Sequence, residues 1–204
     1  MPDFSLEDSL CTNKNNVIIG VDEVGYGAIA GPVVSAAVYI TDRNSPCLAA
    51  VRDSKKLTAR QREAIFQKIE TFAIFSVGFA SVYEIETSNV LAASHIAMRR
   101  AIETLNVPRI DLVLVDGIRE PCLSWKSKAI VKGDNLSTSI ATASIIAKVT
   151  RDRFMAELHT RHPEYLWNKN CGYGTKAHIL ALSQHGATPH HRRSFAPVKN
   201  QSTK

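Results

Sequence analysis

A chain of 204 residues in which 45% of side chains are apolar can bury one sizeable core, which excludes wholesale disorder and leaves little room for a second large domain. Its formal charge of +6 is unevenly distributed: residues 1–125 carry 12 basic and 15 acidic side chains (net −3), whereas residues 126–204 carry 13 basic and 4 acidic (net +9). Such a one-sided surplus favours a polyanionic partner through counterion release at phosphates; a merely solvated basic face is the plain alternative.

Residues 1–16 are read as an N-terminal extension. They begin with an acidic stretch and show no basic patch followed by an apolar core, so no secretory signal is expected and a cytoplasmic location is. Val17 to Val21 and Val33 to Ile40 are short β-branched runs that predict neighbouring strands across a Gly-rich turn. Val24 to Thr41 carries no charge, but Gly25, Gly27, Gly31 and Pro32 interrupt it, which excludes a membrane span. Thr58 can cap a helix in which Ala64, Ile65, Ile69 and Phe72 recur at helical spacing, ending near Thr71. Phe72 to Ala80 predicts a third strand. Leu91, Met98, Ile102 and Leu105 then mark an amphipathic helix from near Ser88 to before Pro108. Leu112 to Val115 reads as a buried strand and Ala129 to Val131 as a short one. Ser137 to Val149 is ambiguous by periodicity, and its length favours a helix; further helix is expected over Arg151 to Arg161 and Thr175 to Gln184. The sum is an α/β domain, a mixed sheet covered by helices with a helical C-terminal part. Cys11, Cys47, Cys122 and Cys171 lie far apart, without a Cys-x-x-Cys pair or zinc-spaced histidines, and are expected to be reduced.

The acidic residues at strand ends carry the chemistry. Asp22 and Glu23 close the first apolar run, Asp116 closes Leu112-Val113-Leu114-Val115, and Asp134 sits in a turn after Ala129-Ile130-Val131. If these strands are neighbours, their carboxyl ends bring the acids to one site. Like charges held that close repel, and divalent cations relieve the conflict. An oxygen-only set suits Mg²⁺ or Mn²⁺ rather than zinc, and two such ions can activate water and steady the leaving oxygen of a phosphodiester. Each acid also has an ordinary explanation. Asp116-Gly117 is a common turn pair, and Asp134 can start a turn or cap the next helix. Adjacent Asp22 and Glu23 are harder to set aside, because a strand alternates its side chains and one of them would face the core.

From Val17 to Val198 the chain resembles bacterial ribonuclease HII, the type 2 ribonuclease H. The motifs, in family order, are Gly20-Val21-Asp22-Glu23-Val24-Gly25, Asp53-Ser54-Lys55-Lys56-Leu57, Val115-Asp116-Gly117, Val131-Lys132-Gly133-Asp134, Ala143 through Asp152, Gly172-Tyr173, and His185-Gly186-Ala187-Thr188 through His191-Arg192-Arg193-Ser194-Phe195. The resemblance implies a ribonuclease H-like mixed β-sheet flanked by helices, with a catalytic core over residues 17–158. A C-terminal helical segment with a basic tail, residues 159–204, would contribute to substrate binding. It maps four metal-binding catalytic acids onto Asp22, Glu23, Asp116 and Asp134, holding two Mn²⁺ or Mg²⁺ ions during catalysis. The implied activity is an endonuclease hydrolysing the RNA strand of RNA/DNA hybrids and cutting 5′ to ribonucleotides embedded in duplex DNA. It leaves 3′-hydroxyl and 5′-phosphate ends and serves ribonucleotide removal from DNA. Water is the nucleophile, and the 2′-hydroxyl is the recognition mark. Gly25-Tyr26-Gly27 stands where the family has a Gly-Arg-Gly loop reading the sugar through its backbone, and Tyr173 matches a tyrosine that stacks on the nucleotide after the ribonucleotide. Lys55, Lys56, Arg192 and Arg193 are expected to meet phosphates, with solvated or structural roles as the alternative. No membrane partner is implied, and a monomer is expected.

Departures from the family pattern are Tyr26 for the usual Arg, Cys171 where a Lys commonly precedes the Gly-Tyr pair, and Ile118 where Asn is common. Tyr26 removes a phosphate contact, so weaker or altered junction preference is expected. Within the superfamily the type 3 relative is the runner-up, and it carries an extra N-terminal domain where sixteen residues precede the first strand here; beside the hydrolase stand a catalytically silent binder of nucleic acid and a strand-transfer enzyme using similar carboxylates.

Overall fold

The apolar β-branched runs become the centre of a five-stranded sheet. A computed structural model describes residues 1–10 and 16–200. In it β1 (Ile18–Val24) pairs antiparallel with β2 (Val33–Ile40), and β3 (Ala73–Ala80) adds antiparallel to β2. On the other side β4 (Leu112–Asp116) lies parallel to β1 and β5 (Ser127–Ile130) parallel to β4, giving the order β3-β2-β1-β4-β5. β1 is therefore the middle strand, covered on both faces, which is why Ile18 to Val21 runs without polar alternation.

Helices close both faces. On one lies α4 (Val90–Glu103), whose start is fixed by the Asn89 side chain accepting from the Ala92 N–H; its Met98, Ala101 and Ile102 pack on Ile19, Val21, Val113 and Val115. On the other lies α5 (Thr138–Arg161), with Ile145 and Ile146 against Ala36 and Val38, and Ile140 against Ile18 and Leu114. α5 rides directly on β1: a Cβ at Gly20 would lie 2.2 Å from the carbonyl carbon of Ser139. α2 (Ala59–Phe66) starts at a capping box of Thr58 and Gln61. α1 (Ser5–Leu10) also docks here. Its Glu7 is buried and accepts from the Ser137 and Ser139 hydroxyls at 2.7 and 2.9 Å, so the described part of the N-terminal extension is tied to the start of α5.

The C-terminal segment holds α6 (Trp167–Asn170), α7 (Lys176–His185) and α8 (Ala196–Lys199). Its Trp167, Leu182 and Val198 pack with Met155 and Leu158 of α5 and with Ile29 and Ala30 of the β1–β2 connection, so this segment braces the loop that follows the first two acids.

Several elements differ in detail from the sequence reading. β1 continues through Asp22 and Glu23, because Ala36 and Ser35 of β2 keep pairing with them. The two helices expected over 137–149 and 151–161 are one 24-residue helix, since no Gly or Pro interrupts it, and the boundary drawn at residue 158 falls inside it. β5 starts earlier and ends at Ile130; Lys132 takes a left-handed conformation (φ 56°) and turns the chain, leaving Val131 exposed. A short additional helix, α3 (Val82–Thr87), follows the third strand, opened by a Ser81–Glu84 capping box. No helix among the described residues is long and apolar enough to cross a membrane. Cys47, Cys122 and Cys171 are free thiols; Cys11 and residues 201–204 of the polar tail lie outside the described residues.

Candidate active site

Parallel pairing of Val21 with Val115 carries the chain on either side to Asp22 and Asp116, which become neighbours at the carboxyl ends of β1 and β4. The turn after β5 supplies the third acid. Gly133 donates its N–H to Asp116 Oδ1 at 2.6 Å, which ties the turn to β4, and the next residue is Asp134. Ser137, not Asp134, caps α5, so Asp134 remains available to the site. One carboxylate oxygen from each of Asp22, Asp116 and Asp134 lies within 4.8 Å of the others. Alternation along β1 places Glu23 on the opposite face from Asp22. Glu23 is outside that trio yet shares with Asp116 the lining of a groove of about 550 Å³.

These acids repel one another in a dry place. Burial, then Glu23 and Asp116, hold the Asp22 carboxyl well above its usual range; burial and Asp134 raise Asp116; burial and Asp116 bring Glu23 up to about 7. Asp22 accepts a hydrogen bond from Ser144, whose hydroxyl sits 2.8 Å from that of Ser54. Lys55 provides a partial counter-charge, its Nζ 3.6 Å from Asp134 Oδ2. An oxygen-only cluster in this condition fits hard divalent cations, which would satisfy the repelling oxygens together.

Glu23 keeps its proton to higher pH in the folded protein than in the unfolded chain. Its contribution to the stability of the metal-free protein is undiminished below about 4.5, the ordinary glutamate value, and is lost as pH rises through about 7. Glu23→Gln should therefore gain on wild type, by on the order of 2 kcal/mol between pH 5 and pH 7.5 in chelator, when both are unfolded with urea. A stability difference that ignores pH would refute this.

The remaining predicted residues separate into those at the cleft and those within the scaffold. Tyr26 and Gly117 line the larger groove with His95 and Arg119. Gly25 has φ +93°, and a Cβ there would meet the Arg151 guanidinium at 2.2 Å, so this position requires glycine. Gly27 lies in open space. Tyr173 lines a second pocket of about 290 Å³ with Asp22, Lys55, Ser144 and Lys148. Lys56 bonds to the Asn135 side chain, and Arg193 is exposed.

Arg192 is a correction: it is fully buried and cannot meet a phosphate. Its Nε and Nη2 donate to the Gly31 carbonyl at 3.0 and 2.9 Å and its Nη1 donates to the Tyr26 carbonyl at 3.0 Å. Arg151, in the motif from Ala143 to Asp152, does the same work. It is fully buried and donates to Pro32, Cys171 and Ala30 carbonyls at 2.9, 2.7 and 3.0 Å. Burial and the nearby Arg151 pull Arg192 down to about 9. Two guanidiniums thus hold the loop that follows the acids. Nothing local marks them: Arg151 stands between Thr150 and Asp152, and Arg192 between His191 and Arg193.

The Ribonuclease HII family model matches residues 19–198. Ribonuclease HII of Anaplasma phagocytophilum (strain HZ) is 62% identical over 199 residues, covering 98% of this chain and 95% of that protein. The crystal structure of ribonuclease H2 from Pyrococcus horikoshii OT3 superposes with TM-score 0.76 at 26% identity, covering 91% of this chain and 97% of that one. A structure of Bst-RNase HIII in complex with Mn²⁺ shares the fold at TM-score 0.74 and 20% identity, covering 92% of this chain and 70% of that one. The chain belongs to the ribonuclease HII family, and is by that membership a metal-dependent endoribonuclease with a ribonuclease H-like fold.

Proposed function

We propose that the chain hydrolyses the RNA strand of RNA/DNA hybrids and cuts duplex DNA on the 5′ side of embedded ribonucleotides, leaving 3′-hydroxyl and 5′-phosphate ends, and so serves ribonucleotide removal from DNA. The observation that carries this is the meeting of the Asp22, Asp116 and Asp134 carboxylates within 4.8 Å, with Asp116 lining one cleft and Asp22 another. Asp22, Glu23, Asp116 and Asp134 would hold two divalent ions, Mg²⁺ or Mn²⁺. Such ions, when bound, supply an activated water and stabilise the leaving oxygen of an in-line displacement.

The chain's own groups then define which phosphodiester is presented. Gly25 and Gly27 let backbone approach a ribose closely, and the 2′-hydroxyl is what distinguishes a ribonucleotide there. Tyr173 would stack on the following nucleotide, and Lys55, Lys56 and Arg193 would meet phosphates. Tyr26 lacks the charge that an arginine would bring to the loop, so junction preference should be weaker or altered. We place the protein in the cytoplasm as a monomer without a membrane partner.

The test is product mapping on three labelled duplexes, one all-DNA, one with a single ribonucleotide and one hybrid, with Mg²⁺ or Mn²⁺ in turn. The all-DNA duplex should stay whole, the second should be cut once, 5′ to the ribonucleotide, and the hybrid at many positions. Cleavage or joining of all-DNA, or 2′,3′-cyclic phosphate ends, would overturn the proposal. In the same assay Tyr26→Arg should bind more tightly and steepen the salt dependence by about one charge; affinity and cut sites unchanged across salt would count against the loop assignment.

A further inference from the structure

Behind Tyr173 the C-terminal segment contains a chain of buried, hydrogen-bonded rings that the acidic site does not use. The Thr188 N–H donates to His191 Nδ1 at 3.0 Å, which makes that nitrogen an acceptor and puts the proton of a neutral His191 on Nε2. His191 Nε2 stands 3.1 Å from His178 Nε2, and Trp167 Nε1–H donates to that same His178 nitrogen at 3.0 Å. With Nε2 receiving two donors, His178 must carry its proton on Nδ1, which lies 2.9 Å from the Tyr173 carbonyl oxygen. A single tautomer assignment satisfies every contact: Thr188 to His191 to His178 to Tyr173, with Trp167 joining at His178.

Both imidazoles are buried, and both stay neutral: burial and the neighbouring His178, His190 and His162 hold His191 down at about 3, and burial lowers His178. The Tyr173 peptide is pinned from its other side as well, its N–H donating to the Asn170 carbonyl at 2.9 Å. Gly172 before it has φ +80°, with the place of a Cβ only 2.4 Å from the Ala30 carbonyl oxygen, so the backbone here has little freedom. Downstream of this fixed peptide, the Tyr173 ring lies 5.6 Å from the Arg151 guanidinium and lines the pocket beside Asp22.

We propose that His178 and His191 are positioning residues that fix the pose of Tyr173 through this imidazole chain, and so set how well the nucleotide following the ribonucleotide is held. The inference rests on the reading of Tyr173 as a stacking residue. A flexible Tyr173 would have to be ordered by each substrate in turn, at a cost in affinity; a fixed ring is ordered beforehand.

The experiment is steady-state cleavage of a duplex with one ribonucleotide, together with thermal melting of each variant. His178→Ala should raise KM about tenfold with kcat within about twofold. His178→Asn, whose side-chain N–H can still reach the Tyr173 carbonyl, should recover most of that loss, as a merely space-filling histidine would not. Tyr173→Ala should show the same KM increase, and the double variant Tyr173→Ala/His178→Ala should be no worse than Tyr173→Ala. Independently of any variant, ¹⁵N NMR of the wild-type protein should find the Nδ1–H tautomer at His178 and the Nε2–H tautomer at His191. Reversed tautomers, or equal losses for His178→Ala and His178→Asn, overturn the proposal. An impaired Tyr173→Ala beside an unimpaired His178→Ala overturns the imidazole chain alone, whereas an unimpaired Tyr173→Ala removes the stacking reading beneath it.

Discussion

Asp22→Asn is expected to lower metal-dependent cleavage of a singly ribonucleotide-substituted duplex by at least about a thousandfold while much of the duplex affinity survives. Asp22 is 5% exposed and stands where the like charges of Glu23 and Asp116 converge, so its carboxylate is the group that most needs a bound cation. Asparagine keeps the shape and can still accept the Glu23 N–H, now at 2.7 Å, but removes one charge from the cluster. Two effects of opposite sign follow. Without metal, the variant should melt higher than wild type by several degrees, because repulsion worth about 1–2 kcal/mol is gone. With Mg²⁺ or Mn²⁺ added, wild type should gain stability and the variant little, since stabilisation by a ligand follows its affinity for the folded state. Binding to the duplex relies on the basic surface and should persist. Retained cleavage would overturn the metal assignment, and a lower metal-free melting temperature would show that the carboxylates do not repel as their burial requires.

Much of this site could be read from sequence because its acids sit where regular structure ends. Leu112 to Val115 is apolar without a break, so Asp116 is conspicuous; the same holds for Asp22 after Val17 to Val21. The sheet places them together because β1 and β4 are parallel neighbours in register, a tertiary fact with no local signal. The adjacency of Asp22 and Glu23 posed a conflict with strand alternation. The structure resolves it without ending the strand: Asp22 faces α5 and Ser144, and Glu23 faces the groove beside α4. What stayed illegible is the inner support. Arg151, Arg192, His178 and His191 look like surface residues by type, and only the folded chain shows which of them lie against backbone carbonyls or one another. The length of α5 was hidden for a related reason. Its first half, Thr138 to Ala147, is buried on every side, so no amphipathic period marks it in the sequence.

The neighbours Arg192 and Arg193 should respond in opposite ways to the same substitution. Arg192→Ala removes three donated hydrogen bonds, leaving the Gly31 carbonyl short of donors in a dry interior and the Tyr26 carbonyl unanchored at the groove, which should destabilise the protein by about 3–5 kcal/mol and lower its melting temperature by about ten degrees. Cleavage should fall with it, because the Tyr26 carbonyl belongs to the loop between Gly25 and Gly27. Arg192→Lys should rescue little, since one ammonium cannot span the two carbonyls that the planar fork reaches. Arg193 is exposed and outside the buried cluster. Arg193→Ala should leave melting within about one degree and instead weaken duplex binding, lowering the dependence of log affinity on log salt by about one. Melting curves and salt titrations on the two variants separate the roles. If Arg192→Ala melts like wild type and loses a unit of salt slope, its buried guanidinium is not what holds the loop, and the phosphate role expected from sequence returns.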